Sequence, residues 1–130
     1  MGEMHVDCAP AAFTVGRMLN WVALDKVFKS LADPWRRHMI ECLCDRQASV
    51  SWLAQHLPLS LPTILQHLQV LEENGLIHTE KIGRKRVCRI EPQALRLLDQ
   101  WISPRRRLWN RRLQLLLETP DAGSPAAGSR

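Results

Sequence analysis

Apolar residues recur every three or four positions along five segments of the chain, and this pattern predicts five α-helices. Asp33-Pro34 begins the second helix, because aspartate caps helix N-termini and proline fits the first helical turn. Either Ser49 or Ser51 caps a short third helix, which Pro58 ends. The chain is therefore expected to be mainly α-helical.

The fourth helix has clear boundaries at both ends. Ser60 caps it, Pro62 is tolerated in its first turn, and Gly75 suits the left-handed conformation that closes a helix. Residues 76–90 then alternate apolar and polar positions and turn at Gly83, which predicts a β-hairpin with a basic tip. We call this hairpin the wing.

A long last helix follows the wing, and Ser103-Pro104 predicts either a kink or a break within it. Residues 1–13 show no periodic pattern and are expected to form a flexible arm. Residues 119–130 are small, polar and rich in glycine and proline, which predicts a disordered tail. Residues 14–118 then form one domain, mainly α with a small β-hairpin wing, around one modest core.

Basic residues exceed acidic ones and are concentrated in the second half of the chain. Lys and Arg total 18 against 13 Asp and Glu, for a net charge of +5. This excess favours binding to nucleic acid or to an anionic membrane surface, unless it is simply a solvated basic face. No segment approaches the roughly 20 apolar residues that span a bilayer, so we expect a cytoplasmic protein without membrane spans. Four irregularly spaced cysteines predict reduced thiols.

The third and fourth helices, joined by the sequence PLSLP, predict a helix-turn-helix whose second helix can lie in the major groove of DNA. Helical periodicity places Ile64, Leu68 and Leu71 inward. His67 lies with them and is interpreted as a buried structural histidine. Leu65 falls at the core edge, where packing is favoured over contact with a thymine methyl group.

The outward face of the fourth helix and the tip of the wing carry side chains that suit DNA. Glutamine can hydrogen-bond a base edge at two positions, threonine offers a hydroxyl and a methyl group, and long cations reach phosphates. Thr63 and Gln66 are the predicted base readers, while Ser60 and the wing cations are predicted to hold the DNA backbone. The predicted DNA-binding residues are Ser60, Pro62, Thr63, Leu65, Gln66, Gln69, Arg84, Lys85 and Arg86.

Three segments, LADPWRRHMIECL, SLPTILQHLQVLEENGLI and GRKRVCRI, resemble the winged helix-turn-helix repressors of the ArsR/SmtB family, over about residues 20–118. The resemblance is closest to a branch with paired tryptophans in the last helix, here Trp101 and Trp109, and no obvious metal site. It implies a homodimer built from the first and last helices, and commonly a repressor that an effector releases. Leu65 and Gln66 replace the serine and the basic residue usual in that branch, so an operator sequence does not transfer.

Apolar side chains on the first and last helices form a stripe too large for an isolated helix to leave in water. Packing within the chain is one explanation, and a two-fold interface between two copies is the other. A dimer suits DNA because two recognition helices must reach successive major grooves about 34 Å apart. The predicted dimer residues are Met18, Trp21, Val22, Leu98, Trp101, Ile102, Leu108, Trp109 and Leu116.

Cys42 and Cys44 resemble the Cys-x-Cys metal site of many relatives, but Ser49 and Ser51 occupy the positions where that site would lie. Side chains two residues apart on a helix point about 200° from each other, so the two sulfurs cannot easily share an ion. We expect both thiols to pack in the core. A thiol-directed effector acting at Cys8, Cys42 and Cys44 is the alternative. No metal or cofactor is predicted, and the small effector is unknown.

No catalytic residue is assigned, because the sequence lacks a nucleophile motif, a Gly-rich phosphate loop and clustered carboxylates. The wing also lacks the aromatic residues that stack on single-stranded RNA. The main alternative is a winged helix that docks an acidic protein and does not bind duplex DNA. The favoured prediction is a homodimeric, sequence-specific repressor whose partner is double-stranded DNA with a palindromic operator.

Overall fold

The computed structural model describes the backbone of residues 15–118 and the side chains from residue 20 onward. The predicted arm at residues 1–13 and the predicted tail at residues 119–130 lie outside these described residues. Within them the chain forms five helices and three strands. They are α1 (Val15–Ser30), α2 (Pro34–Asp45), β1 (Ala48–Ser49), α3 (Val50–His56), α4 (Leu61–Glu73), β2 (Ile77–Ile82), β3 (Lys85–Ile90) and α5 (Pro92–Glu118).

Side-chain caps begin three of these helices, as the sequence predicted. Asp33 accepts hydrogen bonds from two backbone N–H groups of α2 at 2.8 and 3.2 Å. Ser49 accepts one in α3 at 3.0 Å, and Ser60 accepts one in α4 at 3.4 Å. Each satisfies an N–H group that has no partner inside its own helix. At the other end of α4, Gly75 adopts the predicted left-handed conformation, with φ of 83°.

The wing is part of a three-stranded sheet. β2 and β3 pair antiparallel along their whole length, and the two-residue loop between them begins at Gly83, whose φ of 64° suits a tight hairpin turn. β1 pairs with β3 through Ala48 and Ser49, so the strand order is β1-β3-β2. The sequence predicted only the hairpin, because a two-residue strand is too short to show alternation.

The core of the helix-turn-helix lies among α2, α3, α4 and the sheet. On α4, Ile64, Leu68 and Leu71 are all at most 4% exposed, as predicted. Burying aliphatic side chains of this size stabilises the fold by about 1.5–3 kcal/mol each, which holds α4 with its opposite face outward. The largest fully buried apolar side chains of the described residues are Val27, Met39, Leu53, Ile64, Leu71, Leu76, Ile77 and Cys88.

The last helix, α5, continues through Pro104, so of the two alternatives predicted there, a kink or a break, the break is wrong. Proline has no N–H group, and the carbonyl four residues earlier therefore loses its helical partner. Side chains add hydrogen bonds on either side of this position. The Ser103 hydroxyl donates to Asp99 Oδ1 at 2.6 Å, and Arg105 Nη1 donates to the carbonyl of Trp101 at 2.7 Å.

The chain divides between Leu97 and Leu98 into two compact units. The helix-turn-helix and the whole sheet belong to the first unit, whereas most of α5 belongs to the second. Among the described helices, none combines the length and the apolar character that crossing a membrane requires.

Candidate nucleic-acid interface

The outward face of α4 carries the side chains that the sequence predicted for DNA. Pro62, Gln66 and Gln69 are exposed, and Thr63 is half-buried. The side chain of Gln66 forms no hydrogen bond or ion pair with the part of the chain that the structure describes. Its amide can therefore present both a donor and an acceptor to a base edge, the pairing that suits adenine.

Thr63 is tied to the residue that caps α4. Its hydroxyl lies 2.9 Å from the Ser60 hydroxyl, at a distance where either oxygen can donate. The Ser60 oxygen also accepts the backbone N–H of Thr63 at 3.4 Å. The pair shares its hydrogen-bonding capacity between the helix cap and any DNA group, so Thr63 is less independent as a base reader than Gln66.

Gln69 is partly occupied by a neighbour on the same helix. Its Nε2 donates to Glu73 Oε2 at 2.9 Å, one helical turn further along. This leaves the amide oxygen and one N–H hydrogen for another partner. Of the two outward glutamines, Gln66 is thus better placed to read a base.

The wing carries its cations on both faces of the hairpin. Arg84, Lys85 and Arg86 are all exposed, and Arg86 lies directly opposite Lys81 in the strand pairing. Like charges in directly opposed positions destabilise an antiparallel pair. Arg86 also donates to the hydroxyl of Thr79 at 3.0 Å. The local repulsion would be relieved by an anion such as a DNA phosphate.

Leu65 and His67 lie beside the buried positions of α4 and are less covered than those positions. Leu65 is 45% exposed and its neighbour Leu61 is 49% exposed, so packing beside Leu61 and contact with a thymine methyl group both stay predictions. His67 is half-buried, and its Nδ1 lies 3.4 Å from Nη1 of Arg36. Arginine can only donate, so in a hydrogen bond between these two atoms Nδ1 is the acceptor. This contact ties α4 to α2 and agrees with a structural role for the histidine.

The two cysteines of α2 do not both pack in the core. Cys44 is exposed, so the prediction of core packing is wrong for it: it lies in the last turn of α2, after the buried positions Met39, Ile40 and Leu43. Cys42 is half-buried, with its Sγ 3.9 Å from Nε2 of His38. Burial raises the pKa of the Cys42 thiol, and the carboxylates of Asp45 and Glu41 raise it further.

Cys88 is a buried thiol on β3. Burial, with the Glu72 carboxylate adding to it, raises the pKa of the Cys88 thiol to about 11. Thiols with raised pKa values are weak nucleophiles at neutral pH, because the thiolate is the reactive form. Cys8, part of the alternative effector hypothesis, lies outside the described residues. Among residues 20–118, no three His, Cys, Asp or Glu side chains are grouped to hold a metal ion.

The predicted dimer residues are mostly exposed in the single chain. Trp21 and Val22 of α1 are exposed, as are Trp101, Ile102 and the apolar residues that follow on α5. Leu98 is half-buried, and the side chain of Met18 is outside the described part. Leu108, Trp109 and Leu116 are between 47% and 59% exposed. Their role in an interface stays a prediction.

Two arrangements near the interface were not predicted from the sequence. On α3, the ring of His56 stacks on Trp52 at 3.9 Å, and the guanidinium of Arg46 lies 5.1 Å from the same indole. The spacing of four between Trp52 and His56 on a helix was the available signal. The second arrangement joins Thr79 to Glu72 of α4, and nothing in the linear sequence brings those two residues together.

Comparisons with known proteins agree with this geometry. Residues 33–79 match the family model described as bacterial regulatory protein, arsR family. The HTH-type transcriptional regulator Rv2034 of Mycobacterium tuberculosis is 35% identical over 96 residues, which cover 74% of this chain and 87% of that protein.

Solved structures show the same fold. The crystal structure of the ArsR family transcriptional regulator RHA00566 is 36% identical, covers 68% of this chain and 91% of its own, and superposes with a TM-score of 0.61. The homodimeric winged helix-turn-helix DNA-binding domain Mb0332 of Mycobacterium bovis is 24% identical and superposes with a TM-score of 0.60, covering 72% of this chain and 90% of its own. The family model includes α2, α3 and α4, and therefore the whole helix-turn-helix.

Proposed function

Since this chain belongs to the ArsR family of bacterial transcriptional regulators, we propose that it is a homodimeric repressor that binds a palindromic DNA operator in the cytoplasm. The observation that carries the proposal is the division of α4 into two faces. Ile64 and Leu71 are fully buried on one side, while Gln66 and Gln69 are exposed on the other, beside a basic wing. A fold of this kind can lay the exposed face of α4 in a major groove.

The base-reading role falls chiefly on Gln66, with Thr63, Leu65 and Gln69 around it. Leu65 is exposed enough to contact a thymine methyl group, which is an apolar readout available only in the major groove. Ser60 and the wing cations Arg84, Lys85 and Arg86 would bind the phosphate backbone. These contacts fix the register of α4 on the duplex, while the residues of its outward face select the sequence.

A homodimer follows from the geometry of duplex DNA and from the apolar residues on α1 and α5. Two copies related by a two-fold axis present two identical recognition helices, so the operator repeats its half-site in inverted order. The relative from Mycobacterium bovis is a homodimer. Exposed apolar side chains at Trp109 and Leu116 provide a surface that a second copy would bury. A dimer that occupies an operator overlapping a promoter would exclude RNA polymerase.

Selection from a random duplex library at physiological salt tests the proposal. We expect enrichment of an inverted repeat whose half-site centres lie about 10 base pairs, or a multiple, apart. Sedimentation of the complex should give two chains per duplex. Enrichment of no sequence, with tight capture of an acidic protein instead, would overturn the proposal in favour of a protein-binding winged helix.

A further inference from the structure

The recognition helix is joined to the wing by one carboxylate. Glu72, near the end of α4, accepts the backbone N–H of Thr79 in β2 at 3.2 Å and the hydroxyl of the same residue at 3.0 and 3.1 Å. β2 is an edge strand, because the strand order is β1-β3-β2. An edge strand has N–H groups without a strand partner, and Glu72 satisfies one of them.

Thr79 also forms a hydrogen bond with Arg86. A threonine hydroxyl has a single hydrogen, and here that hydrogen is shared by the two oxygens of Glu72. The lone pairs of the hydroxyl are therefore open to a donor, and Arg86 Nη1 donates to them at 3.0 Å. The result is a relay from an acid on the recognition helix, through Thr79 on β2, to a cation on β3.

The relay affects the position of the Arg86 side chain on the wing. Arg86 lies directly opposite Lys81, and this repulsion would turn the Arg86 side chain away if nothing held it. The relay also borders an open cleft of about 140 Å³ between α4 and the wing, where Leu65, Leu68 and Val50 supply the apolar wall. Side chains do not fill this space, so the hydrogen bonds of Glu72 and Thr79 add to the packing of the wing root in holding the two elements together.

We propose that Glu72 and Thr79 are positioning residues that fix the wing against the recognition helix and hold Arg86 where it meets the DNA backbone, an inference that rests on the proposed DNA-binding function. The negative charge of Glu72, beside the proposed DNA-binding surface, repels phosphate. Glu72 favours DNA binding only if the gain from holding the wing in place is larger than this repulsion. An Arg86 side chain that is already held in place loses less conformational entropy when it binds a phosphate.

The sharpest variant is Thr79→Val, which keeps the shape and the strand preference of threonine and deletes the hydroxyl. We expect it to weaken binding to a mixed-sequence duplex by about fivefold, the effect of one lost hydrogen bond, and to reduce the slope of log Kd against log salt by about one unit. Thr79→Ser keeps the hydroxyl and should restore wild-type binding. Circular dichroism and the melting temperature establish that each variant is folded.

Two further comparisons separate positioning from a general effect of charge or stability. Glu72→Ala and Glu73→Ala remove the same charge from adjacent exposed positions of α4. Loss of repulsion alone would strengthen DNA binding in both, whereas the relay predicts weaker binding for Glu72→Ala only. In an Arg86→Ala background, Thr79→Val should have no additional effect on Kd, because the residue that it positions is gone.

The outcomes distinguish this inference from the function it rests on. A wild-type protein that binds no duplex at low salt would overturn both. A wild type that binds DNA, with a Thr79→Val variant of unchanged Kd and salt slope, would overturn the positioning role alone. Additive effects of Thr79→Val and Arg86→Ala would do the same, since they would show that Thr79 acts by another route.

Discussion

α4, the proposed recognition helix, and the wing are neighbouring elements that are held in place by different means. α4 is anchored by aliphatic side chains that are almost completely buried, with Ile64 and Leu71 at 0% exposure. The wing is buried only at its root, where Ile77 and Cys88 lie in the core, and its tip from Lys81 to Arg86 is exposed. The helix is thus placed by packing, and the tip of the wing by turn geometry and hydrogen bonds.

The difference between a packed helix and an exposed wing tip suits the role proposed for each: base reading for α4 and phosphate contact for the wing. Reading a base edge needs an amide held within a few tenths of an ångström, which a packed helix provides. Contact with phosphate is less demanding, because a long cation can reach a charged oxygen from several directions. The Glu72–Thr79 hydrogen bonds connect the two elements and restrain the position of the wing relative to the packed helix.

The largest expected effect is the loss of stability when a buried side chain that holds α4 in place is removed. Ile64→Ala removes a fully buried side chain from the inner face of α4 and should lower the free energy of unfolding by about 2–5 kcal/mol. Ile82→Ala, at a wing position that is 55% exposed, should change it by less than about 0.5 kcal/mol. Urea unfolding at a fixed protein concentration measures both. Equal losses at the two positions would contradict the contrast between helix and wing.

Next in size is an effect on sequence preference. Gln66→Ala should reduce discrimination between the selected operator and scrambled DNA by about 1–3 kcal/mol, because a bidentate contact to one base is lost. Gln100→Ala, which removes an amide from an exposed position of α5, is the matched control and should leave the preference unchanged. Competition binding with the two duplexes measures the ratio. Full retention of preference in Gln66→Ala would remove this residue from the reading face.

The root of the wing gives a prediction with a definite pH dependence. Cys88 is fully buried and its pKa is raised to about 11, so the folded protein holds the thiol proton more tightly than the unfolded chain does. Stability is therefore unaffected below the ordinary thiol pKa near 9 and falls as the pH rises toward 11, by about 2 kcal/mol.

The replacement Cys88→Ala should remove that decline, although it also lowers stability at neutral pH by deleting buried atoms. Denaturant titrations between pH 8 and 11 measure the slope. An equal slope in wild type and Cys88→Ala would show that the thiol does not titrate in this window. At neutral pH, alkylating reagents should modify the exposed Cys44 and leave Cys88 unmodified in the folded protein.

The fold was largely predictable from sequence because its signals are local. Caps at Asp33 and Ser60 and the left-handed Gly75 lie within a few residues of the helix ends that they define. The strand β1 was not predictable, since its two residues become a strand only by pairing with β3, about 40 positions further on. Of the kink or break predicted at Pro104, the break did not occur, because one missing hydrogen bond does not end a long helix whose other residues favour helix.

The candidate site was predictable as a set of residues but not as a network. Helical periodicity identified the outward position of Gln66, whereas the exposure of Leu65 depended on whether a neighbour would cover it. The bonds of Gln69 to Glu73, and of Thr79 to Glu72, depend on side-chain rotamers and on the packing angle of the wing. These are tertiary properties, and periodicity carries no information about them.

The smallest expected effect concerns the tip of the wing. Arg84→Ala and Lys85→Ala should each weaken binding to every duplex by a similar factor and lower the salt slope by about one unit per lost phosphate contact. Neither should change unfolding free energy by more than about 0.5 kcal/mol, since both side chains are exposed. Arg96→Ala removes the same charge from an exposed position at the start of α5 and is the control.

The wing variants test the difference between wing and helix, because they are expected to lower the affinity for every duplex without changing which DNA sequence is preferred. If Arg84→Ala shifted the selected sequence, the wing would read bases, for example through a narrow minor groove, and the division of labour with α4 would fail. If Arg96→Ala lowered the salt slope as much as Arg84→Ala, the positive charge of the whole chain, and not the position of the wing, would account for phosphate binding. A uniform loss confined to the wing variants would instead place phosphate contact at the tip and leave sequence reading to the packed helix.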